Sequence, residues 1–398
     1  MSDSNLKDVV ILSAARTAIG AFQGSLAKVK TPELGAAALS GAVERAGLEP
    51  GDLDQVYMGC VLPAGVGQAP ARQAALGAGC PTSTGAITLN KVCGSGMRTV
   101  MSAANDLRCG EFDVVAAGGM ESMSNAPYLA KGIRDGLRLG HGELVDSMVA
   151  DGLWDVYGDK HMGNCAETCA SKYEFSRESQ DAFAIESYRR AVASQESGLL
   201  AQEIVPVSVP QRKGDPIVVD QDEEPARGNA DKIPKLRPAF QKDGTVTAAN
   251  ASSINDGAAA LVLTTADKAE ALGKKPIARL VSQATFSHEP EWFTTAPVNA
   301  MQKAIEKAGL TVADIDLFEI NEAFAVVTQA AIHELDLDPE KVNVRGGAVA
   351  LGHPIGASGA RILVTLLHAM QERGARYGCA GICLGGGEAT SVVLERLD

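Results

Sequence analysis

The sequence predicts an α/β fold built from two copies of one unit. Short apolar runs typical of strands alternate with stretches of helical spacing along much of its 398 residues, which is the pattern of layered α/β proteins. A segment near residue 42 recurs near residue 304, and no GxGxxG motif occurs. These observations favour a duplicated α/β protein over a dinucleotide-binding one.

The predicted strands are the short apolar runs of the chain. They lie at Val9–Ser13, Gln55–Cys60, Gly85–Leu89, Val114–Ala117, Ile277–Ala284, Leu317–Ile320 and Ile382–Leu384. Helices are predicted over Met97–Cys109, which has no internal Gly or Pro, and over Glu178–Ser197. Between about Met123 and Ala249, clusters of Gly, Pro and charged residues indicate an insertion made largely of surface loops.

An internal repeat connects the two ends of the chain. Ala42–Asp54 aligns with Ala304–Asp316 at an offset of 262, with seven of 13 pairs identical. The same offset matches the helix after Cys93 with the helix after His353. We expect the two units to pack about a pseudo-two-fold axis, which would bring their corresponding loops to one shared site.

Composition limits the classes of function. The net charge is −13, from 36 basic and 49 acidic residues, and without a basic run neither nucleic acid nor anionic membrane is an expected partner. No apolar run reaches the ~18 residues of a membrane span, and the start MSDSNLKDVV resembles neither a signal nor a transit peptide, so a cytoplasmic protein is expected. Eight cysteines without a CxxC pair argue against zinc and predict free thiols.

The stretch Asn90–Met97, NKVCGSGM, places a cysteine between a predicted strand and a glycine-rich helix start. At a helix N-terminus the free N–H groups and the helix dipole favour a thiolate, so we expect the pKa of Cys93 to be lowered. A thiolate is a nucleophile. The alternative is that Cys93 is a small buried core residue, as free cysteines commonly are.

Two glycine-rich segments near the C-terminus each contain one ionisable residue of interest. Gly346–Arg361 surrounds His353, and Cys379–Thr390 surrounds Cys383. Glycine allows backbone N–H groups to approach a substrate closely, as an oxyanion site requires. Taken alone, either residue could instead be structural.

Seven separated motifs, in this order, resemble those of the thiolase family, of the acetyl-CoA acetyltransferase kind, and the match runs from Val9 to the C-terminus. The motifs are NKVCGSG, GGMESMSNAPY, HMG at His161–Gly163, NASSINDGAA, NEAF at Asn321–Phe324, GGAVALGHPIGASGAR and CLGGG. The resemblance implies the thiolase fold, in which two βαβαβαββ halves stack in five αβαβα layers. It divides the chain into an N-terminal half (residues 1–122 and 250–273), an inserted loop domain over coenzyme A (123–249) and a C-terminal half (274–398).

The resemblance also implies catalytic roles for five residues. Cys93 would carry the acyl group, and His353 would act as its base and as a hydrogen-bond donor to the enolate oxygen. Cys383 would transfer the α-proton, and Asn321 would hold a water molecule at the enolate. The backbone N–H groups of Cys93 and Gly385 would bind the oxyanion, with Gly385 needed also for its lack of a side chain. The alternative for Asn321 is a helix N-cap.

Further residues match positions that contact coenzyme A in the family. These are Ser252, His161, Met162, Phe240, Ala248 and Phe324, with Arg227 or Lys232 as candidates for the phosphates. Simple packing is the alternative for the residues matched to the coenzyme A tunnel, and for Met162, Phe240 and Ala248 the two interpretations are equally supported. The segment EPEWFTTAP brings Trp292 and Phe293 near the expected acyl pocket, which leaves the acyl chain length open.

The function implied is an acetyl-CoA C-acetyltransferase, which condenses two acetyl-CoA molecules to acetoacetyl-CoA and coenzyme A, or the reverse. It would need no metal and no cofactor beyond its coenzyme A thioesters. A broader 3-ketoacyl-CoA thiolase and a non-catalytic acyl-CoA-binding relative are the alternatives. A ketoacyl synthase is disfavoured because those enzymes use a second His where this chain has Cys383. Ser124–Val145 resembles the loop that joins thiolase dimers into tetramers, so a homotetramer is expected over a dimer.

Overall fold

The computed structural model describes residues 6–397. Residues 1–5 and residue 398 lie outside it. The expectation about targeting depends partly on the first five residues, and the predicted C-terminal half ends at residue 398. Within residues 6–397, no helix is long and apolar enough to cross a membrane.

The N-terminal half is formed by strands and helices before residue 123, together with one later strand and helix. Its elements are β1 (Val9–Thr17), β2 (Gly20–Ala21), α1 (Thr31–Arg45), β3 (Gln55–Gly59), α2 (Pro70–Gly77), β4 (Gly85–Leu89), α3 (Ser95–Cys109) and β5 (Val114–Ser122), with β13 (Asn255–Thr265) and α6 (Ala266–Ala271) following the insertion. The strands β1, β5 and β13 are buried along their whole length because both of their faces are covered.

The intervening segment carries short hairpins and two helices. Its elements are β6 (Tyr128–Leu129), β7 (Val145–Asp146), β8 (Trp154–Asp155), β9 (Lys160–His161), α4 (Met162–Lys172), α5 (Arg177–Glu196), β10 (Ile204–Val205), β11 (Val207–Val209) and β12 (Ile217–Val219). The helix α5 has Ser176 as its N-cap, whose side chain accepts a hydrogen bond from the Ser179 N–H, a common N-cap geometry.

The C-terminal half follows without interruption. Its elements are β14 (Ala278–Ser287), α7 (Ala296–Lys307), β15 (Leu317–Ile320), α8 (Ala325–Glu334), α9 (Ala348–Leu351), α10 (Ile355–Arg373), β16 (Tyr377–Leu384) and β17 (Glu388–Arg396).

The strand order shows the duplication directly. One continuous sheet path runs β15-β16-β17-β14-β1-β13-β5-β3-β4. In one half β3 and β5 are parallel and the following pairs β5–β13 and β13–β1 are antiparallel, while β15–β16, β16–β17 and β17–β14 repeat this pattern. The halves join through a short antiparallel pairing in which Ile11 lies opposite Ala278. The order is therefore the same when read outward from the centre, as a pseudo-two-fold arrangement requires.

The helices α3 and α10 form a central layer between the two halves, with α1 and α2 outside one half and α7 and α8 outside the other. The two central helices approach closely because glycines face each other. A Cβ on Gly96 would lie 2.7 Å from the Ala360 nitrogen, and one on Gly359 would lie 2.5 Å from the Met97 nitrogen. Both substitutions would force the helices apart. This five-layered architecture confirms the predicted fold class.

The predicted elements differ from the observed ones mainly in length. The strand predicted over Val9–Ser13 continues to Thr17, and the one predicted over Ile382–Leu384 begins at Tyr377. The small residues Ala, Gly and Cys make these strands look interrupted in the sequence. The strand β13, with the sequence NDGAAALVLTT, was not predicted for the same reason.

Candidate active site

Strand ends and loops from both halves, together with residues of the insertion, enclose a cavity of about 220 Å³. Cys93 comes from the N-terminal half, and His353, Cys383 and Gly385 come from the C-terminal half. The structure thus brings together four of the five residues with predicted catalytic roles. The roles themselves stay predictions.

The turn before α3 holds Cys93 in a constrained position. Val92 has a φ of 46°, a left-handed conformation that is unfavourable for a β-branched residue and costs about 1–3 kcal/mol. Hydrogen bonds offset this strain: the Val92 N–H donates to Asn90 Oδ1 (2.9 Å), the Lys91 N–H donates to Ser95 Oγ (2.8 Å), and that hydroxyl donates to the Val92 carbonyl (2.6 Å). Several hydrogen bonds therefore fix the turn that holds Cys93, the candidate nucleophile.

The expectation of a lowered pKa for Cys93 is wrong. Burial raises the pKa of the Cys93 thiol to about 12, and the nearby Glu121 carboxylate adds to this effect. The backbone N–H groups of Cys93 and Gly385 hydrogen-bond to the sulfur and act in the opposite direction, but they do not outweigh the burial. Cys93 lies next to Gly94, the N-cap of α3, and so at a helix N-terminus as predicted, yet desolvation exceeds the effect of the helix terminus. The resting site holds a thiol.

His353 is held in a neutral state, in which one ring nitrogen carries a lone pair. Its backbone N–H donates to Asn255 Oδ1 (2.9 Å), and its ring Nδ1 lies 2.6 Å from Ser358 Oγ. Burial, with a smaller contribution from the charge of Arg361, lowers the pKa of His353 to about 3. The other ring nitrogen, Nε2, is buried without a hydrogen-bond partner within residues 6–397.

Cys383 is the second-to-last residue of β16 and is fully buried. Burial raises the pKa of Cys383 well above its ordinary value, and the neighbouring Cys93 contributes in the same direction. Gly385 directly follows β16, and a Cβ on this residue would lie 3.7 Å from Met162 Cε and from Val92 Cγ1, which is ordinary van der Waals contact. That Gly385 must lack a side chain to admit the substrate stays a prediction, and its N–H hydrogen-bonds to the Cys93 sulfur.

Asn321 follows β15 and is fully buried, but it is not among the residues that line the cavity. Its backbone N–H donates to the Gly381 carbonyl (3.0 Å), which ties it to the strand that carries Cys383. Within the described part of the chain, both polar atoms of its side-chain amide lack a hydrogen-bond partner. The alternative of a helix N-cap is wrong, because α8 begins only at Ala325 with Phe324 as its N-cap.

Five of the residues predicted to contact coenzyme A line the cavity: Ser252, His161, Met162, Phe240 and Phe324. The Phe240 ring stacks on His161 at 4.8 Å between ring centroids and meets Phe324 edge-on at 6.0 Å. Ser252 Oγ donates to the Ala323 carbonyl at 3.0 Å.

Three further residues of that set lie elsewhere. Ala248, Arg227 and Lys232 are exposed and outside the cavity lining. Contact of Arg227 or Lys232 with phosphates stays a prediction, as does contact of Ala248 with the ligand. Of the two aromatic residues noted in EPEWFTTAP, Phe293 lines the cavity and Trp292 does not.

Sequence reasoning assigned no role to several residues that shape the site, notably Glu121, Asn255 and Ser358. The carboxylate of Glu121 accepts hydrogen bonds from the N–H groups of Val61, Leu62 and Gly356, at 2.9, 3.2 and 3.0 Å. Burial raises the pKa of Glu121 to about 7. The repeat could have pointed to Glu121, because a Glu follows the strand and glycines in both copies. For Ser358 the sequence offered only its position near His353.

Fold and cavity together define a class of protein: a duplicated α/β fold whose halves meet at a cavity with two cysteines and a histidine. The family described as the thiolase N-terminal domain matches residues 9–267, and the thiolase C-terminal domain matches residues 274–396. The chain belongs to the thiolase family.

Relatives of known name cover nearly the whole chain. An acetyl-CoA acetyltransferase of Pseudomonas aeruginosa is 53% identical over 392 residues, 98% of this chain and 100% of the relative. Acetyl-CoA acetyltransferase 2 of Arabidopsis thaliana is 53% identical and covers 99% of this chain and 98% of its own length.

Solved structures agree with this assignment. A thiolase from Ascaris suum in complex with coenzyme A has a TM-score of 0.93 and 45% identity, covering 98% of this chain and 100% of its own. The acetyl-CoA acetyltransferase of Bacillus anthracis has a TM-score of 0.96 and 43% identity, covering 99% of this chain and 100% of its own.

Proposed function

We propose that this chain is an acetyl-CoA C-acetyltransferase that catalyses the reversible Claisen condensation of two acetyl-CoA molecules to acetoacetyl-CoA and coenzyme A. The observation that carries the proposal is the meeting of Cys93, His353 and Cys383 in one cavity between the two halves. The names of relatives about 50% identical over the full chain support the substrate.

The first half-reaction acylates Cys93. The thiol sulfur attacks the thioester carbonyl carbon while its proton moves to Nε2 of His353, which is neutral and has no hydrogen-bond partner within residues 6–397. Because burial raises the pKa of the thiol, proton transfer accompanies the attack and no free thiolate precedes it. The C–S bond to coenzyme A then breaks and acyl-Cys93 remains.

The oxyanion of this step has two donors available. The N–H groups of Cys93 and Gly385 already point at the sulfur atom, and so lie beside the carbon that it attacks. One such donor contributes about 3 kcal/mol to transition-state stabilisation.

The second half-reaction forms the carbon–carbon bond. The coenzyme A thiolate released in the first step takes the proton of Cys383, so Cys383 becomes the base that removes the α-proton of the incoming acetyl-CoA. His353 keeps the proton from Cys93 and donates a hydrogen bond from Nε2 to the enolate oxygen, assisted by a water held on Asn321. The enolate carbon attacks acyl-Cys93, and the departing Cys93 thiolate recovers its proton from His353.

The proposal extends to the insertion, the localisation and the assembly of the enzyme. Residues 123–249 act as a loop domain over coenzyme A. The two thiolase halves are residues 1–122 with 250–273, and residues 274–398. The presence of His161, Met162 and Phe240 in the cavity lining supports the role of the insertion. We propose a cytoplasmic enzyme that needs no metal or further cofactor, and an assembly of four copies through Ser124–Val145. Exposed apolar side chains on that loop, with Leu139 fully exposed, support the assembly. Light scattering at micromolar concentration tests it, and a monomer would contradict both tetramer and dimer.

The test of the proposed activity is a steady-state comparison of thiolysis with acetoacetyl-CoA and with a medium-length 3-ketoacyl-CoA. The proposal predicts efficient cleavage of acetoacetyl-CoA that depends on free coenzyme A and is lost in Cys93→Ser. Preference for the longer substrate would favour a broader 3-ketoacyl-CoA thiolase. Binding of acyl-CoA without turnover of either substrate would favour a non-catalytic relative.

A further inference from the structure

Ser358 lies directly behind the ring of His353. It stands in the first turn of α10, is fully buried, and its hydroxyl oxygen is 2.6 Å from His353 Nδ1. The same hydroxyl donates to the Pro354 carbonyl at 2.9 Å. No other hydrogen bond to the His353 ring exists within residues 6–397.

This geometry favours one of the two ring nitrogens as the holder of the proton. A serine hydroxyl has one hydrogen to donate, and the Pro354 carbonyl takes it. The oxygen must then accept from His353, so Nδ1 carries the hydrogen and Nε2 carries a lone pair. The opposite tautomer would turn the 2.9 Å contact into two facing lone pairs and leave a buried Nε2–H without an acceptor, which is unfavourable.

We infer that Ser358 is a positioning residue for the proposed thiolase reaction, whose hydroxyl keeps the hydrogen of His353 on Nδ1 and leaves the Nε2 lone pair facing the cavity of Cys93. The inference rests on the proposed function for its catalytic meaning. The hydroxyl can accept from Nδ1 whether His353 is neutral or protonated. No rearrangement behind the ring is therefore needed when Nε2 takes the Cys93 proton and later donates to the enolate oxygen.

The surroundings of the ring make this contact important. Arg361, on the same helix, is the charged group whose field acts on His353, and it disfavours the imidazolium. Cys93 and Cys383 line the same cavity as His353, and Glu121 lies near enough to affect Cys93. No carboxylate hydrogen-bonds to the His353 ring, so the Ser358 hydroxyl alone holds the Nδ1–H within the described residues.

A purely structural role is the competing explanation, because Ser in a helix commonly bonds to the carbonyl four residues earlier. Three variants distinguish the positioning role of Ser358 from a purely structural one. Ser358→Ala removes the hydroxyl, Ser358→Thr keeps it, and Thr365→Val is the matched control. Thr365 is a buried hydroxyl residue on the same helix whose side chain bonds Glu203 (3.3 Å) and does not contact His353.

The experiment measures single-turnover acylation of Cys93 by acetyl-CoA against pH, together with the melting temperature of each variant. For Ser358→Ala we expect acylation at neutral pH to fall about 100-fold, the lower end of a general-base contribution, with KM within about threefold and partial recovery at high pH. Ser358→Thr should stay within about threefold of wild type, and Thr365→Val should lose stability without losing rate. Unchanged acylation by folded Ser358→Ala, or a folded Ser358→Thr as slow as Ser358→Ala, would overturn the inference.

A second measurement does not depend on catalysis. Nitrogen NMR of the unliganded wild-type protein labelled in its six histidines, with His353 assigned through His353→Asn, reports the tautomer directly. We expect the Nδ1–H form, and the Nε2–H form would overturn the inference. If wild-type enzyme is inactive on acetoacetyl-CoA, the proposed function fails while this measurement still decides the tautomer.

Discussion

The acyl chain length that the enzyme accepts should depend on Phe293. This side chain is 2% exposed, lines the cavity of Cys93 and Cys383, and meets the ring of Phe324 edge-on at 6.3 Å between centroids. It therefore closes the side of a cavity of only about 220 Å³. We predict that Phe293→Leu admits a longer acyl chain.

The magnitude follows from burial of the added methylenes. A 3-ketohexanoyl group has two more CH₂ groups than acetoacetyl, and burying each is worth about 0.8 kcal/mol. If wild-type enzyme cannot bury them and the variant can, the ratio of kcat/KM for the longer substrate to that for acetoacetyl-CoA rises by about 15-fold.

The assay is steady-state thiolysis of both substrates by wild type, Phe293→Leu and the control Phe318→Leu. Phe318 is equally buried, on β15, but lies outside the cavity, so its variant should lose stability without changing the ratio. The reasoning would be refuted by a folded Phe293→Leu enzyme with the wild-type ratio, or by an equal rise in the control.

Three further predictions concern the site. Cys383→Ala should still be acylated on Cys93 while condensation is lost, as acyl-enzyme trapping and acetoacetyl-CoA formation would show; near-normal condensation would contradict the proton-transfer role. In the folded protein the pKa of His353 is lowered from 6.5 to about 3. Between pH 6.5 and 3 only the unfolded chain therefore binds this proton, so the free energy of unfolding falls with pH over that range, by up to about 5 kcal/mol. Urea unfolding should show less acid sensitivity in His353→Asn, and an unchanged pH dependence would count against a buried neutral imidazole. Glu121→Gln should cost about 2–5 kcal/mol in urea unfolding, because an amide nitrogen replaces an oxygen that accepts backbone N–H groups; a cost under about 1 kcal/mol would show that these bonds are dispensable.

The duplication was the part of the fold that the sequence predicted best. Identical residues at an offset of 262 match β3 with β15, and these strands occupy equivalent places in the sheet. The lengths of β1 and β16 were underestimated because Ala, Gly and Cys give no strong strand signal, although both faces of these strands are covered. Burial from partners far away in the sequence determined their length.

The pKa shifts of the site could not be predicted from the neighbouring residues in the sequence. The sequence correctly predicted that Cys93 lies at a helix N-terminus. The direction of its pKa shift, however, depends on burial by residues from both halves and the insertion. The same holds for Gly385, whose space for a Cβ depends on Met162 and Val92. Exposure of Arg227 and Lys232 likewise reflects how the insertion folds.

Acyl transfer to Cys93 is the claim on which the mechanism depends. The most direct test is to incubate wild-type enzyme, Cys93→Ala and Cys383→Ala with radiolabelled acetyl-CoA, without a second substrate, and to map the label after proteolysis. The mechanism predicts label on the peptide containing Cys93 in wild type and in Cys383→Ala, with none in Cys93→Ala. Label recovered only on Cys383, or retained in Cys93→Ala, would contradict it.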